Sequence, residues 1–362
     1  MDSVSITLVG IATLPRVRRL VIVRRTRERM ITFHPAGEKA TDCTDLGHCH
    51  ELMRRATWID LYQPTEQEEI IIDMAFGVDL PTHREMQDIE VSRRLYKADN
   101  ALFMTATILA KADTSQPEST VVTFVYADNR LITLRYAKLS PFEIFRLERE
   151  ADLARYDTGE RVLEGLIDAI IERMAEVLEN TGAALDNISR EIFSEKMSGA
   201  KGGGGSRDSD GKPRDLEQVL RRLGRCSDLI SRIRESLAGL NRLLAFFTAA
   251  QRNLPPDVNE HLRTLHHDLQ PLSDHASFLS QKVNFLLDAT LGLINIEQNA
   301  IIKIFTVAAV LFLPPTVVGT IYGMNFEAMP ELKWGFGYPL AILLMILSAI
   351  IPYWYFRRRG WF

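Results

Sequence analysis

The sequence predicts an α+β membrane protein with a cytosolic α/β domain, long stalk helices and two C-terminal transmembrane helices. Two uncharged stretches of 19 residues, 304–322 and 338–356, predict the membrane helices. Alternating strand and helix patterns over 56–155 predict the α/β domain. Apolar residues at three- and four-residue spacing through much of 156–300 predict the stalk.

The two uncharged stretches are long enough to cross a bilayer. At about 1.5 Å per residue, each spans roughly 28 Å, close to the thickness of the hydrocarbon core. A soluble core helix of this length normally carries a polar stripe, and neither stretch has one. We therefore expect transmembrane helices at 301–322 and 338–356, the first beginning just before its uncharged stretch.

Basic and aromatic residues predict the orientation of these helices. Lys303 precedes the first stretch and Arg357-Arg358-Arg359 follows the second. Positive residues stay on the cytoplasmic side, so both termini and the basic tail 357–362 should be cytoplasmic and the loop 323–337 external. An aromatic belt should mark the inner interface: Tyr353, Trp354, Tyr355 and Trp361.

Charge excludes some classes of function. The chain of 362 residues carries a formal charge of -4. About -11 falls on residues 56–300 and +3 on residues 301–362. An acidic body disfavours nucleic acid as a partner and favours multivalent cations. No phosphate-binding loop, dinucleotide fingerprint, HExxH or GxSxG motif occurs, so we do not expect an enzyme.

Within the α/β domain, residues 57–61 predict a strand. Capping boxes from Thr65 to Glu68 and from Thr82 to Glu85 predict two helix starts. Further strands are expected at 101–109, 121–126 and 131–135, the last two joined by a turn at Asp128-Asn129. Residues 1–55 form a poorly defined N-terminal segment, whose arginines at 16–29 are either a surface charge run or an added extension.

Three long helices should follow, at 161–197, at 216–247 and after Pro255-Pro256. The first two are separated by a Gly-rich insertion at 198–213, either natural or engineered. The third continues into the first membrane helix, and its 50 residues from Leu272 to Ile321 give a length of roughly 75 Å. We expect Pro314-Pro315 to kink it.

The cysteines predict neither a disulfide framework nor a metal site. The chain has three, at Cys43, Cys49 and Cys226. Cys43 and Cys49 lie close to His48 and His50, but a zinc site would need a second, spaced pair of ligands. Cys226 lies in a helical pattern and should pack against its neighbours.

The external loop carries a family resemblance. The first membrane helix ends in Tyr-Gly-Met-Asn at 322–325, followed by MPELKW at 329–334 and GYP at 337–339. With 281–286 and 295–299, this pattern resembles the enterobacterial-type branch of the CorA magnesium channels. The similarity is dense over 281–362 and looser over 56–200, and the Gly-rich insertion departs from it.

The resemblance implies a homopentamer in a bacterial inner membrane that conducts Mg²⁺, with Co²⁺ and Ni²⁺ as further ions. The selectivity filter would be Gly323, Met324 and Asn325, with Asn325 presenting a ring of amide oxygens. Because Mg²⁺ loses its water reluctantly, such a pore should grip the hydrated ion through neutral oxygens. Glu327 and Glu331 would attract cations, or belong to an ordinary solvated loop.

Helical spacing selects one face of the first membrane helix as the pore lining. Its middle is apolar and its ends are polar, as in a pore that gates by dewetting. The same stripe would also suit ordinary helix packing. The face comprises Asn299, Ile302, Phe305 or Thr306, Ala309, Leu313, Thr316 and Thr320.

Family members sense intracellular Mg²⁺ through carboxylates between subunits, and the resemblance places Asp88 at one such position. Its partner on the stalk is less defined, because the aligned position holds Thr264, with Asp268 and Asp274 nearby. Mg²⁺ would thus be both transported and regulatory. Asp88 could equally be a surface carboxylate.

Two other functions remain open. A zinc transporter of the same superfamily would share the topology and a similar loop. A membrane-anchored cytosolic sensor would use the hairpin only as an anchor, and it would carry no ion flux.

Overall fold

The structure is a computed structural model that describes residues 30–43, 49–88, 90–98, 100–114, 116–193, 216–324 and 334–359. The arginines at 16–29, the Gly-rich insertion 198–213 and most of the loop 323–337 lie outside the described residues. The chain divides into two compact units. One comprises Met1–Glu176 and Arg232–Ser273, and the other Val177–Ser231 and Asp274–Phe362.

The first unit is built on a mixed sheet whose strand order is β2-β1-β3-β7-β6-β5-β4. β3 and β7 are parallel, and the other neighbouring strands pair antiparallel. The strands are β1 Met30–Pro35, β2 Thr41–Cys43, β3 Ala56–Tyr62, β4 Leu95–Ala98, β5 Ala101–Ala110, β6 Glu118–Ala127 and β7 Arg130–Arg135.

Short helices surround this sheet and long helices follow it. The helices are α1 His50–Arg55, α2 Glu66–Phe76, α3 His83–Met86, α4 Val91–Arg94, α5 Ser140–Ala151, α6 Gly159–Phe193, α7 Leu216–Ala250, α8 Pro256–Tyr322 and α9 Gly337–Arg358. The predicted fold class is confirmed: a mixed sheet comes first, long helices follow, and two apolar helices lie at the C-terminal end.

Local sequence signals determine several element ends. Thr65 and Thr82 each accept a hydrogen bond from the backbone N–H three residues on, and both capping boxes are complete. Asp128 and Asn129 turn the β6–β7 hairpin with φ of 48° and 63°, values that these residue types tolerate. Both predictions are confirmed.

The sheet is covered on both faces. On one, Ile59 and Leu61 of β3 join a buried cluster with residues of α1, α2 and α3. On the other, Trp58 of β3 contacts Phe145 of α5, with ring centroids 5.5 Å apart. Successive strand residues point to opposite faces, so both faces of β3 are covered, and all seven of its residues are buried.

An ion pair is buried where the parallel strands meet. Arg135 of β7 donates to Asp60 of β3 at 2.8 Å, and Thr133 also donates to Asp60 at 2.8 Å. The Arg135 guanidinium lies 4.8 Å from the ring centroids of Tyr62 and of Phe142. These contacts satisfy charges that would otherwise be costly to bury.

Residues 30–55 contribute more than the sequence indicates. β1 pairs with β3, and β2 pairs with β1, so the segment before residue 56 adds two strands to the sheet. Cys43 and Cys49 form a disulfide between the end of β2 and the residue that precedes α1. The sequence argument against a disulfide framework did not anticipate this single bridge, which also removes both thiols as metal ligands.

In the second unit, salt bridges and apolar contacts join α6, α7 and α8. Arg222 of α7 binds Glu191 of α6 at 2.6 Å, and Lys282 of α8 binds Asp186 of α6 at 2.5 Å. Phe193 and Phe285 stack with centroids 6.0 Å apart. The three predicted long helices are therefore present, and α8 continues through Pro314-Pro315 to Tyr322.

Two helix-interior glycines provide a matched test of packing. A Cβ at Gly165 would lie 2.4 Å from Phe145 Cε2, whereas a Cβ at Gly224 would meet nothing within 4 Å. We predict that Gly165→Ala destabilises the protein by about 1–3 kcal/mol through overpacking. Gly224→Ala should stabilise it by up to about 1 kcal/mol through helix propensity.

Circular dichroism of the purified full-length protein in detergent measures both effects as shifts of apparent Tm. Equal shifts for the two variants would show that the space around Gly165 is not limiting.

Candidate ion pathway

The two C-terminal helices have the length and composition of membrane spans. α8 and α9 each contain an 18-residue apolar window, of which 0% and 6% is buried within one chain. A core helix of a soluble protein would instead have most of such a window covered. These surfaces therefore need lipid or further protein to cover them.

The predicted pore face of α8 lies away from α9. A Cβ at Gly319 would lie 3.6 Å from Met345 Cε, which places Gly319 on the side that packs against α9. At about 100° per residue, Leu313 and Thr320 lie within about 20° of each other. The half-buried residues Pro315, Val318 and Tyr322 lie about 140–180° from Leu313 on the helix. The membrane part of α8 thus has one face toward α9 and an opposite face open.

The open face is exposed in the single chain along its whole length. Ile302, Phe305 and Leu313 are 61%, 71% and 66% exposed. The other predicted pore residues are also exposed: Asn299, Thr306, Ala309, Thr316 and Thr320. These exposed side chains form one accessible stripe, which would suit a pore or another helix interface.

The threonines of this stripe use their hydroxyl protons within the helix. Thr306, Thr316 and Thr320 donate to the carbonyl oxygens of the residues four positions earlier, at 2.7–2.8 Å. Each hydroxyl oxygen then offers only lone pairs to its surroundings. An acceptor of this kind suits the hydrogens of water bound to a cation.

α8 ends in a tight turn at Gly323. Its N–H donates to the carbonyls of Gly319 at 3.0 Å and Thr320 at 3.2 Å, and Met324 N–H donates to Ile321 at 3.3 Å. A Cβ at Gly323 would lie 3.2 Å from Gly319 O, and φ is not left-handed. Glycine is therefore favoured at this position because a side chain would come close to the Gly319 carbonyl oxygen. The usual reason for glycine at a helix end, a left-handed backbone conformation, does not apply here.

Three predicted site residues, Asn325, Glu327 and Glu331, lie outside the described residues. Met324, which precedes them, is 43% exposed. The predicted filter is therefore described only up to Met324.

Basic and aromatic side chains pair at the end of α9. The guanidinium carbon of Arg358 lies 3.5 Å from the Trp354 ring centroid, and that of Arg359 lies 5.2 Å from the Tyr355 centroid. Lys303 on α8 is exposed. This arrangement is typical of a membrane–water interface.

Asp88 is paired within its own chain. Its carboxylate accepts from Arg93 Nη1 at 2.7 Å, and its carbonyl accepts from Arg94 Nε at 2.6 Å. The carboxylate is 37% exposed and so remains accessible. It is an oxygen ligand of the type that Mg²⁺ prefers, but in one chain an arginine already holds it.

Two of the stalk-side residues have partners within α8 itself. Asp268 lies 3.8 Å from His267 Nδ1, and Thr264 donates to Glu260 O at 3.2 Å. Among the described residues, no group of three or more His, Cys, Asp and Glu is arranged to hold a metal ion. The pairing of Asp88 with Asp268 or Asp274 in a regulatory site stays a prediction.

A pair of carboxylates that the sequence analysis does not single out links α6 to α8 through a histidine. Glu164 and Asp168 lie four residues apart on α6, and His261 Nε2 of α8 is 3.9 Å and 3.5 Å from their oxygens. Burial raises the pKa of both carboxyl groups. Only the i, i+4 spacing of the two acids was visible in the sequence.

Comparisons with known proteins decide the family. Residues 54–358 match the family CorA, described as CorA-like Mg²⁺ transporter protein. The magnesium transport protein CorA of Escherichia coli strain K12 is 37% identical over 306 residues, covering 84% of this chain and 92% of that protein. That of Pasteurella multocida strain Pm70 is 36% identical over 309 residues, covering 85% and 93%.

This chain belongs to the CorA family. The resemblance inferred from the external loop is thereby confirmed, and the matched family is one of transporters rather than enzymes.

The CorA fold is also evident in three dimensions. The complete CorA magnesium transporter of Methanocaldococcus jannaschii matches with a TM-score of 0.68 at 17% identity, covering 94% of this chain and 100% of that one. At this identity the match concerns the fold alone. The match to the CorA family begins at residue 54, so β1 and β2 lie before the matched residues.

Proposed function

We propose that this CorA-family chain forms a homopentameric channel that conducts Mg²⁺ into the cytoplasm, with Co²⁺ and Ni²⁺ as further permeant ions. The observation that carries the proposal is the open stripe on α8, which faces away from α9 and ends at Gly323-Met324. Five such stripes around one axis would line a pore. The α9 helices would then form an outer ring in contact with lipid.

The chemistry of the stripe suits a hydrated cation. No charged side chain occurs between Ile304 and Tyr322, so nothing would hold a divalent ion too tightly to release it. Thr316 and Thr320 present acceptor oxygens near the outer end, because their protons are bound within the helix. Asn325 would continue this series of neutral oxygens at the entrance.

Influx needs no nucleotide in this scheme. A divalent ion that crosses 100 mV gains about 4.6 kcal/mol, which is sufficient to drive uptake. Lys303 and Arg357–Arg359 support an orientation in which both termini lie in the cytoplasm and the hairpin crosses the bacterial inner membrane. Glu327 and Glu331 would then face outward and concentrate cations at the entrance.

Intracellular Mg²⁺ would close the channel by binding between subunits. Asp88 supplies one accessible carboxylate, and Asp268 or Asp274 of a neighbouring copy would supply the other. A bound ion offsets the repulsion between acidic faces, and its loss lets the faces separate. This gating scheme rests on the family resemblance and on the exposure of Asp88.

The first prediction concerns the entrance amide. Asn325→Ala should lower Mg²⁺ flux at least about ten-fold, because it removes hydrogen bonds worth about 1 kcal/mol from each of five subunits. Flux is measured with the purified full-length chain in liposomes that contain a Mg²⁺-sensitive dye. Asn253→Ala makes the same chemical change in the loop between α7 and α8 and should leave flux unchanged.

The same assay separates the alternative functions. Absence of flux from a folded oligomer across a range of internal Mg²⁺ would contradict the channel and favour an anchored sensor. Flux of Zn²⁺ in place of Mg²⁺ would favour a zinc transporter. Equal flux for Asn325→Ala and the unchanged chain would show that the selectivity filter does not depend on this loop residue.

The second prediction concerns the two faces of α8. Leu313→Cys lies on the open stripe, whereas Val318→Cys lies about 140° away, toward the side of α9. A cationic methanethiosulfonate reagent should block flux through Leu313→Cys and leave Val318→Cys unaffected. The unsubstituted chain controls for Cys226, and block of both variants alike would show that Leu313 does not mark a distinct pore face.

A further inference from the structure

An arginine occupies the carboxylate to which the proposed gating assigns the regulatory ion. Arg93 Nη1 lies 2.7 Å from Asp88 Oδ2, and Arg93 Nε lies 3.4 Å from Glu90 Oε2. One guanidinium thus bridges two acidic side chains of the same short segment. A divalent cation that binds either carboxylate through the same oxygen would compete with this positive charge.

The surroundings of Arg93 are acidic. Asp88 and Arg93 line a cleft of about 380 Å³ together with Asp79 and Glu85. Three carboxylates therefore border the cleft, and among the described residues that line it Arg93 alone is basic. Loss of the Arg93 charge would leave an uncompensated negative site that attracts cations.

Arg93 and its neighbour Arg94 make contacts of different kinds. Arg94 donates to the backbone carbonyl of Asp88 at 2.6 Å and to Thr107 Oγ1 of β5 at 3.2 Å, so it attaches this segment to the sheet. Arg93 contacts the carboxylate itself, and its side chain is 66% exposed. The backbone at Asp88 can therefore stay in place while the Arg93 side chain exchanges with solvent.

We propose that Arg93 is an internal counter-ion that competes with divalent cations for Asp88, and so determines the cytoplasmic Mg²⁺ concentration at which the channel closes. This inference rests on the proposed function, in which Asp88 binds the regulatory ion. At low Mg²⁺ the arginine neutralises the carboxylate. At high Mg²⁺ the ion displaces the guanidinium and binds the Asp88 carboxylate oxygen in its place.

The ion pair is suited to such exchange because it is weak. Exposed pairs contribute little, and removal of one that is worth up to about 1 kcal/mol changes a competing equilibrium by about two- to five-fold. Arg93→Gln should therefore lower the Mg²⁺ concentration for half-maximal closure by about two- to five-fold. Arg93→Lys, which keeps the charge, should stay close to the unchanged chain.

Two readouts measure the midpoint in the full-length protein. One is inhibition of liposome flux by internal Mg²⁺. The other is protection against limited chymotrypsin digestion over a series of Mg²⁺ concentrations, which requires no transport and whose cleavage sites the variants do not alter. Arg84→Gln is the matched control, since it removes the same charge from an exposed position four residues before Asp88.

The outcomes separate this inference from the proposed function. Asp88→Asn should abolish the response to Mg²⁺ in both readouts, and an unchanged response would remove Asp88 from the regulatory site. If Asp88→Asn abolishes the response but Arg93→Gln leaves the midpoint unchanged, the competition is wrong while the site stands. A shift of Arg84→Gln equal to that of Arg93→Gln would also overturn it, because the effect would then be general charge.

Discussion

The bilayer core accepts a polypeptide only where its backbone N–H and C=O groups are bonded, and this constraint shapes the C-terminal part of the chain. α8 and α9 meet it as continuous helices. Pro314 and Pro315 lack N–H groups, so the carbonyls of Val310 and Leu311 have no backbone donor four residues on. The Thr316 hydroxyl donates to the carbonyl of Phe312, so it does not replace either missing donor. A neighbouring helix, an ordered water or a local adjustment of the helix must therefore satisfy these carbonyls.

The membrane part of the same helix is largely uncovered within one chain. Its apolar membrane window has no buried residue, although one side contacts α9. Lipid could cover that whole surface, but lipid gives no reason for threonine acceptors and an asparagine at one end. Hydrated Mg²⁺ does, because it exposes water hydrogens and binds neutral acceptors without losing its shell. The proposed pore would therefore account for a pattern that a lipid-covered anchor leaves unexplained.

The sequence was most informative where one local rule decides the structure. The Asp128-Asn129 hairpin and the capping boxes of Thr65 and Thr82 follow from side chains that bond their own backbone. β2 was missed because it has only three residues, and β1 because its pairing with β3 is a contact between distant parts of the chain. The Asp88–Arg93 pair was also missed, since the intervening segment carries no periodic pattern that would bring two side chains five residues apart together.

Two Asp–Arg pairs in the first unit show how burial changes the role of one interaction. Asp60 and Arg135 have side chains only 8% and 4% exposed, so loss of either partner would leave a buried charge and cost about 3–5 kcal/mol. Asp88 and Arg93 are 37% and 66% exposed, and water can replace either partner at little cost. The buried pair can only stabilise the sheet. The exposed pair can open at equilibrium, and an interaction that opens is what a cation sensor requires, because the ion must find its ligand free for part of the time.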